Sequence, residues 1–253
     1  MRFPVLCDLD GVIWLGDEPI PGSAAAVADL RAAGHRVLFV TNFSFAPVEV
    51  TEDKLARHGI AAAGDVVTSA QAAAQLVHPG ERVLVCGGPG IVQAVEQRGA
   101  EVVQDVDVDA VVVGFHRSFD FEVMTQASTA VRRGARLIGS NDDATYPTPA
   151  GPIPGGGAIL AAVAVASGQS PLIAGKPHQP MADLVRKLLG GVPPEAVMVG
   201  DRPDTDGLFA ERVGCRYAQV WSGVTSPHET VNPQPALVAL NLRALVDQLL
   251  HRP

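Results

Sequence analysis

Aromatic residues are scarce in this chain. Eight Phe, two Tyr and two Trp make up 5% of 253 residues, against 47% hydrophobic residues overall, so a core must be built from Val, Leu, Ile and Ala. Cysteine is scarcer still: Cys7, Cys86 and Cys215 are odd in number, far apart and without a CxxC pair. That excludes a disulfide framework and argues against a zinc site, and it fits a reducing cytoplasm. Basic charge is also short. Nineteen Lys and Arg face 27 Asp and Glu for a net charge of −8, with no basic stripe, which argues against a duplex nucleic-acid partner. An acidic protein that handles an anion must bring a local Lys, Arg or metal ion to it. Long apolar runs are missing as well. The longest, Ala158 to Ala166, falls far short of the ~20 residues of a membrane span. Asp8 and Asp10 stand where a signal peptide would need its apolar stretch. No HExxH, GxSxG or Walker A sequence occurs, and Gly155-Gly156-Gly157 lacks GxGxxG spacing and follows no predicted strand. A cytoplasmic chain with no membrane partner is expected.

What is present is strand-then-helix alternation. Apolar runs at Phe3–Cys7, Val37–Val40, Val66–Thr68, Arg82–Val85, Ala110–Val113, Leu137–Ile138, Leu172–Ala174, Ala196–Val199 and Ala218–Trp221 read as strands. Most lack polar alternation, as strands covered on both faces should. Amphipathic stretches lie between them. Ser23–Ala33, Pro47–His58 and Pro89–Arg98 each end at a Gly, and Asp120 is placed to cap a helix running to Arg133. His178–Leu189 and Asp204–Val213 complete the pattern. The expected fold is α/β with a doubly wound parallel sheet, whose ligands bind along the edge at the strands' carboxyl ends. The Pro- and Gly-rich segment Tyr146–Gly157 reads as a domain boundary or lid loop.

Four motifs stand at predicted strand ends. Asp8-Leu9-Asp10-Gly11 puts two carboxylates two residues apart, which on an extended chain point the same way, and Gly11 permits a sharp turn. Such a pair suits a Mg²⁺ site, a nucleophile with an acid/base partner, or a polar turn closing a strand. Gly200-Asp201-Arg202-Pro203-Asp204-Thr205-Asp206 crowds acids again, but position twelve of an EF-hand loop would be Val213, so that reading fails. Asp204 reads as a helix cap and Asp201 as the metal candidate. Thr41-Asn42 offers a hydroxyl and N–H groups for phosphoryl oxygens, or a simple turn. Gly175-Lys176-Pro177 holds a cation at a strand tip, read either as a surface Lys or as the partner of crowded carboxylates and an anion. Trp14 and Trp221 read as packing residues.

Taken together, DxDGV, TN, GKP and GDRxxTD resemble the haloacid dehalogenase superfamily of phosphohydrolases across nearly the whole chain. More narrowly, DLDGVIW, FVTN, IGSNDDATYP and VWSGVT are similar to the NagD-like group, subfamily IIA. The resemblance implies a Mg²⁺-dependent phosphomonoesterase acting on a small phosphorylated metabolite. It makes Asp8 the nucleophile that forms an aspartyl-phosphate and Asp10 the acid/base. Mg²⁺ would be held by Asp8, Asp201 and the backbone carbonyl of Asp10. Thr41 and Asn42 would bind the phosphoryl group, and Lys176 would neutralise charge with Asp206 holding it. A carboxylate attacking a phosphate dianion meets like-charge repulsion, which Mg²⁺ and Lys176 offset. Two departures stand out: Phe43 where Asn is common, and Gly207 where Ile is common.

The chain has no room for a large insert between Asp10 and Thr41, but ample room between Asn42 and Lys176. The resemblance implies a catalytic core of residues 1–78 and 174–253 around an inserted, smaller α/β cap of residues 79–173. Asn141, Asp143 and Tyr146 match the cap's substrate-facing loop, and the group implies a homodimer through the cap. Two other readings keep the same residues: a phosphometabolite-binding regulator without catalysis, and a phosphomutase. The intact set Asp8, Asp10, Lys176 and Asp201 argues against the first. The missing space after the first motif argues against the second.

Overall fold

A computed structural model describes residues 2–148 and 151–250. In chain order the elements begin β1 (Val5–Cys7), β2 (Trp14–Leu15), β3 (Glu18–Pro19), α1 (Ser23–Ala32), β4 (Val37–Thr41), α2 (Val48–Arg57) and β5 (Val66–Thr68). They continue with α3 (Ser69–Ala74), β6 (Arg82–Cys86), α4 (Pro89–Gln97), β7 (Glu101–Val102), β8 (Ala110–Val113), α5 (Phe121–Arg132) and β9 (Arg136–Gly139). Then follow β10 (Thr145–Tyr146), β11 (Ile153–Pro154), α6 (Gly156–Ser167), β12 (Leu172–Ile173), α7 (Gln179–Leu189) and β13 (Val197–Gly200). A π-helical turn (Pro203–Gly207), α8 (Leu208–Val213), β14 (Arg216–Val220), β15 (Leu237–Ala239) and α9 (Leu242–Leu250) complete the chain.

The chain divides into two compact units. One holds residues 1–41, 51–67 and 176–253; the other holds residues 42–50 and 68–175. The sequence-based insert, residues 79–173, lies inside the second.

The first unit carries a six-stranded sheet in the order β15-β14-β13-β1-β4-β5. Strands β15, β14, β13, β1 and β4 run parallel. Val5, Leu6 and Cys7 are all fully buried, so both faces of β1 are covered, as their unbroken apolar sequence requires. The order also locates the site. From β1 the chain moves outward through β4 and β5 on one side, and later through β13, β14 and β15 on the other. Strand β1 is therefore the topological switch point, and the carboxyl ends of β13, β1 and β4 open the crevice where such sheets bind ligands.

The second unit carries a parallel five-stranded sheet, β12-β9-β8-β6-β7. Leu84, Val111, Val113 and Leu137 from its strands pack with Ala127 and Val131 of α5 and Ile159, Leu160 and Val163 of α6. Parallel α/β sheets are the fold that the alternating pattern predicts, and a second, smaller α/β unit between the motifs is what the resemblance implies.

Local expectations hold at several ends. Asp120 Oδ1 accepts from Val123 N–H at 2.9 Å, capping α5. Others change. Asp204 is not a helix cap: α8 begins at Leu208, and Asp204 sits inside the π-helical turn. The segment read as a boundary or lid forms an antiparallel hairpin, with Thr145 opposite Pro154 and Tyr146 opposite Ile153. Pro149 and Ala150, within that segment, lie outside the described residues. The glycine triplet does follow a strand, β11, and opens α6. A Cβ at Gly155 would lie 2.3 Å from the carbonyl oxygen of Asp143, and one at Gly157 2.3 Å from that of Asp142. The triplet thus serves close backbone packing. No helix among the described residues is long and apolar enough to cross a membrane.

Candidate active site

Three neighbouring strands deliver the first unit's chemistry to one edge. Asp8 follows β1, Asp201 follows β13, and Thr41 ends β4. Cys7 pairs with Val199 on one side and Phe39 on the other, so these tips lie level. Asp8 N–H donates to the carbonyl of Val199 at 2.9 Å, carrying the sheet's pairing one residue past the strand.

Lys176 is the centre of the arrangement. Its side chain is 1% exposed, and Nζ lies 2.9 Å from Asp8 Oδ1 and 2.8 Å from Asp206 Oδ1. Asp8 Oδ1 also accepts from Leu9 N–H at 2.8 Å. Asp206 Oδ2 accepts from Arg202 N–H at 3.2 Å, so the π-helical turn folds Asp206 back toward the strand tip. A carboxylate oxygen from each of Asp8, Asp201 and Asp206 lies within 4.8 Å of the others. At that separation each pair of full charges repels by on the order of 3 kcal/mol at an effective dielectric of about 20.

Burial and crowding show in the protonation equilibria. Burial pushes Asp201 up to about 8, with Asp206 and Asp8 adding to it and Val224 N–H opposing. Burial raises Asp206 to about 6 despite the Lys176 ammonium. Asp8 is raised by the same desolvation, again against Lys176. Burial favours a neutral Lys176, but Asp206 and Asp8 outweigh it and hold the ammonium above its ordinary range. One cation among three carboxylates leaves the cluster short of positive charge.

Asp201 shows where that charge would go. Its Oδ2 accepts from Val224 N–H at 2.7 Å. Its Oδ1 is buried and has no hydrogen-bond partner among the described residues. Glycines wall the carboxylate: a Cβ at Gly11 would lie 2.5 Å from Asp201 Cγ, and one at Gly223 1.9 Å from Oδ2. Gly11 also has φ +81°, which L side chains rarely adopt. Ser222 Oγ donates to the Gly11 carbonyl at 2.6 Å, tying that turn to the loop after β14. An orphaned, glycine-walled carboxylate oxygen beside two more carboxylates is an all-oxygen donor set that fits a hard divalent cation such as Mg²⁺.

Asp10 stands apart from that cluster in its partner. Its Oδ1 accepts from the indole Nε1–H of Trp14 at 3.1 Å. Trp14, expected to be a packing residue, is buried and packs, but it also holds Asp10. Lys54 Nζ sits 4.3 Å from the Trp14 ring centroid and donates to the Gly16 carbonyl at 2.6 Å.

The remaining expected site residues gather in the second unit. Asn42 Nδ2 donates to Asp143 Oδ2 at 3.0 Å, while its carbonyl accepts from Asn141 Nδ2 at 2.8 Å and Ser69 Oγ at 2.6 Å. The Tyr146 ring lies 5.9 Å from Phe43 and 5.6 Å from Phe115. Phe43 is thus one of two phenylalanine rings beside Tyr146. Sequence reasoning assigned no separate role to Ser222, Gly223 or Gln219, although VWSGVT carries the first two. A glutamine inside the apolar run Ala218–Trp221 was the readable signal for the last of these.

Comparison with known proteins identifies the family. A profile of haloacid dehalogenase-like hydrolases matches residues 5–101, and a second, HAD-hydrolase-like profile matches residues 173–245. The acid sugar phosphatase of Staphylococcus saprophyticus is 36% identical over 228 residues, 88% of each chain. The chain belongs to the haloacid dehalogenase-like hydrolases. Among solved structures, the 4-nitrophenylphosphatase of Thermotoga maritima superposes with TM-score 0.90 at 31% identity, covering 97% of each chain. The glycerol phosphate phosphatase of Mycobacterium tuberculosis, determined in complex with magnesium, gives 0.86 at 33% identity over 96% of this chain and 75% of that one. Within the haloacid dehalogenase-like hydrolases the chain falls in the NagD-like group, subfamily IIA.

Proposed function

We propose that this hydrolase is a Mg²⁺-dependent phosphomonoesterase that cleaves a small phosphorylated metabolite through an aspartyl-phosphate on Asp8. The observation that carries the reading is the buried Lys176 held between Asp8 and Asp206, beside an Asp201 oxygen that lacks a hydrogen-bond partner among the described residues. A buried cation shared by two acids, next to a carboxylate oxygen free to ligate a metal ion, supports a site that takes a divalent cation and with it an anionic phosphate. The relatives' names, an acid sugar phosphatase and a glycerol phosphate phosphatase, support a small phosphate ester as substrate.

In this reading Asp8 attacks phosphorus through a carboxylate oxygen and displaces the ester oxygen. Asp10 gives that oxygen its proton. Water then attacks the aspartyl-phosphate, Asp10 takes a proton from it, and Asp8 and inorganic phosphate are released. Splitting the hydrolysis makes each step easier, and one acid serves both halves. Lys176 offsets charge next to the nucleophile, while Thr41 and the following Asn42 supply donors to the phosphoryl oxygens. Asp8, Asp201 and the Asp10 carbonyl would hold Mg²⁺. When bound, it lowers the repulsion between carboxylate and phosphate dianion. The second unit is proposed as the substrate-specificity cap, read out by Asn141, Asp143 and Tyr146, with a homodimer through that cap. Cys7, Cys86 and Cys215 are free thiols, which supports a cytoplasmic setting.

The test is phosphate release from p-nitrophenyl phosphate by the purified chain. Turnover should require Mg²⁺, stop with EDTA and vanish in Asp8→Asn. Absence of turnover across a broad panel of phosphate esters with Mg²⁺ would end the proposal.

A further inference from the structure

Gln219 is a fully buried amide in β14, set between the buried apolar residues Ala218 and Val220. Burying an amide is costly unless its polar atoms are paired. Here they are. Nε2 donates to the Asp201 carbonyl at 3.0 Å and to the Val220 carbonyl at 2.7 Å. Oε1 accepts from the Tyr217 hydroxyl. With two carbonyls facing one end and a hydroxyl the other, the amide has a single favourable orientation. Gln219 lies opposite Gly200 in the sheet register, so its side chain is beside the peptide that leads into Asp201.

Tyr217 is itself given room by a glycine. A Cβ at Gly207 would lie 2.9 Å from Pro233 and 3.2 Å from Tyr217 Cε1. Gly207 thus leaves space for the Tyr217 ring. Gly207, Tyr217 and Gln219 therefore form one connected set that ends on the Asp201 carbonyl.

An Asp side chain has two rotatable bonds. Once its backbone is fixed and Oδ2 is tied to Val224 N–H, the direction of Oδ1 is fixed too. We propose that Gln219, oriented by the Tyr217 hydroxyl, is a positioning residue that locks the Asp201 backbone and so aims its unpartnered oxygen at the divalent cation. This inference rests on the Mg²⁺ reading of the same carboxylate cluster.

The experiment is a Mg²⁺ titration, by isothermal calorimetry, of the EDTA-stripped and dialysed full chain. It compares wild type, Gln219→Leu and Tyr217→Phe, with unfolding temperature measured in parallel. Gln219→Leu is expected to weaken Mg²⁺ binding by about tenfold, the range typical of groups that orient metal ligands. Tyr217→Phe, which keeps the ring, should weaken it by about three- to tenfold, the value of one hydrogen bond. KM for p-nitrophenyl phosphate at saturating Mg²⁺ should stay within about twofold of wild type in both. A purely structural role would lower the unfolding temperature and leave the Mg²⁺ affinity unchanged; that result in both variants overturns the proposal. If Gln219→Leu does not fold, Tyr217→Phe decides alone. Wild type that binds Mg²⁺ but hydrolyses no ester overturns the phosphatase reading and leaves the positioning role standing on the affinities. Wild type that binds no Mg²⁺ overturns both.

Discussion

The ammonium of Lys176 lies 2.9 Å from Asp8 Oδ1, with the Lys side chain 1% and the Asp side chain 12% exposed. A buried ion pair of this kind is not by itself a source of net stability, but removing one partner strands the other. Lys176→Met keeps the apolar stem and deletes the charge, leaving Asp8 and Asp206 uncompensated. The expected loss is about 3–5 kcal/mol of unfolding free energy at pH 8, from denaturant melts. In folded protein kcat should fall by about 10²- to 10³-fold, as when a preorganised charge is removed from a site. A variant within about 1 kcal/mol of wild type would show that Lys176 is not the compensating charge.

The same cluster sets a pH dependence for the metal-free protein. Asp201 is raised to about 8 and Asp206 to about 6, both by burial first. Acids with raised folded-state pKa values bind more protons folded than unfolded. Their contribution to stability is full below the unfolded carboxylate range near 4 and is lost as pH rises through 6 and then 8. In EDTA, the unfolding temperature should therefore fall between pH 5 and pH 8. Mg²⁺ favours the ionised carboxylates and should restore more stability at pH 8 than at pH 5. Asp201→Asn removes one titrating group and should flatten the EDTA profile. A profile of equal slope in Asp201→Asn would remove Asp201 as its source.

Much of this site could be read before any coordinates. Asp8 and Asp201 follow runs so apolar that both must be interior strands, and a carboxylate after such a run stands at a sheet edge. The Asp120 cap is equally local. What escaped reading depends on partners distant in sequence or on weak local patterns. Strand β15 is three residues long with Val238 exposed on it. Helix α3 is an alanine-rich run without periodicity, although Thr68 and Gln71 form a capping box there. The π-helical turn looks like ordinary helix in sequence. Asn42 lies beside Thr41 in the chain, yet its amide pairs with Asp143, 101 residues away. Gly223 reads as an ordinary turn glycine, and only the position of Asp201 shows why a methyl group is excluded there.

Trp14 offers a test of the acid/base assignment. Its indole N–H donates to Asp10 Oδ1 at 3.1 Å and so helps fix the direction of the carboxylate. Trp14→Phe keeps an aromatic ring and removes the donor. A fall in kcat of about tenfold with little change in KM is expected for a mispositioned acid/base. An unchanged kcat would show that Trp14 only packs.

Gly11 and Gly223 separate backbone strain from displacement of a ligand. Both exclude a Cβ because of the Asp201 carboxylate, at 2.5 Å from Cγ and 1.9 Å from Oδ2 respectively. Gly11 alone also has a positive φ, +81°. Gly11→Ala therefore carries two penalties: about 1–2 kcal/mol for the left-handed backbone, and the shift forced on Asp201. Gly223→Ala carries the second without the first. Both variants should bind Mg²⁺ at least about tenfold more weakly than wild type, because a moved carboxylate no longer presents its free oxygen. Gly11→Ala should be the less stable of the two in EDTA, where no metal affinity enters the comparison. If Gly223→Ala bound Mg²⁺ as wild type does, Asp201 would have to tolerate displacement, and its place among the metal-holding residues would be lost. If the two variants melted alike in EDTA, the strain at Gly11 would be relieved by a local change of turn, and the positive φ would carry no separate cost.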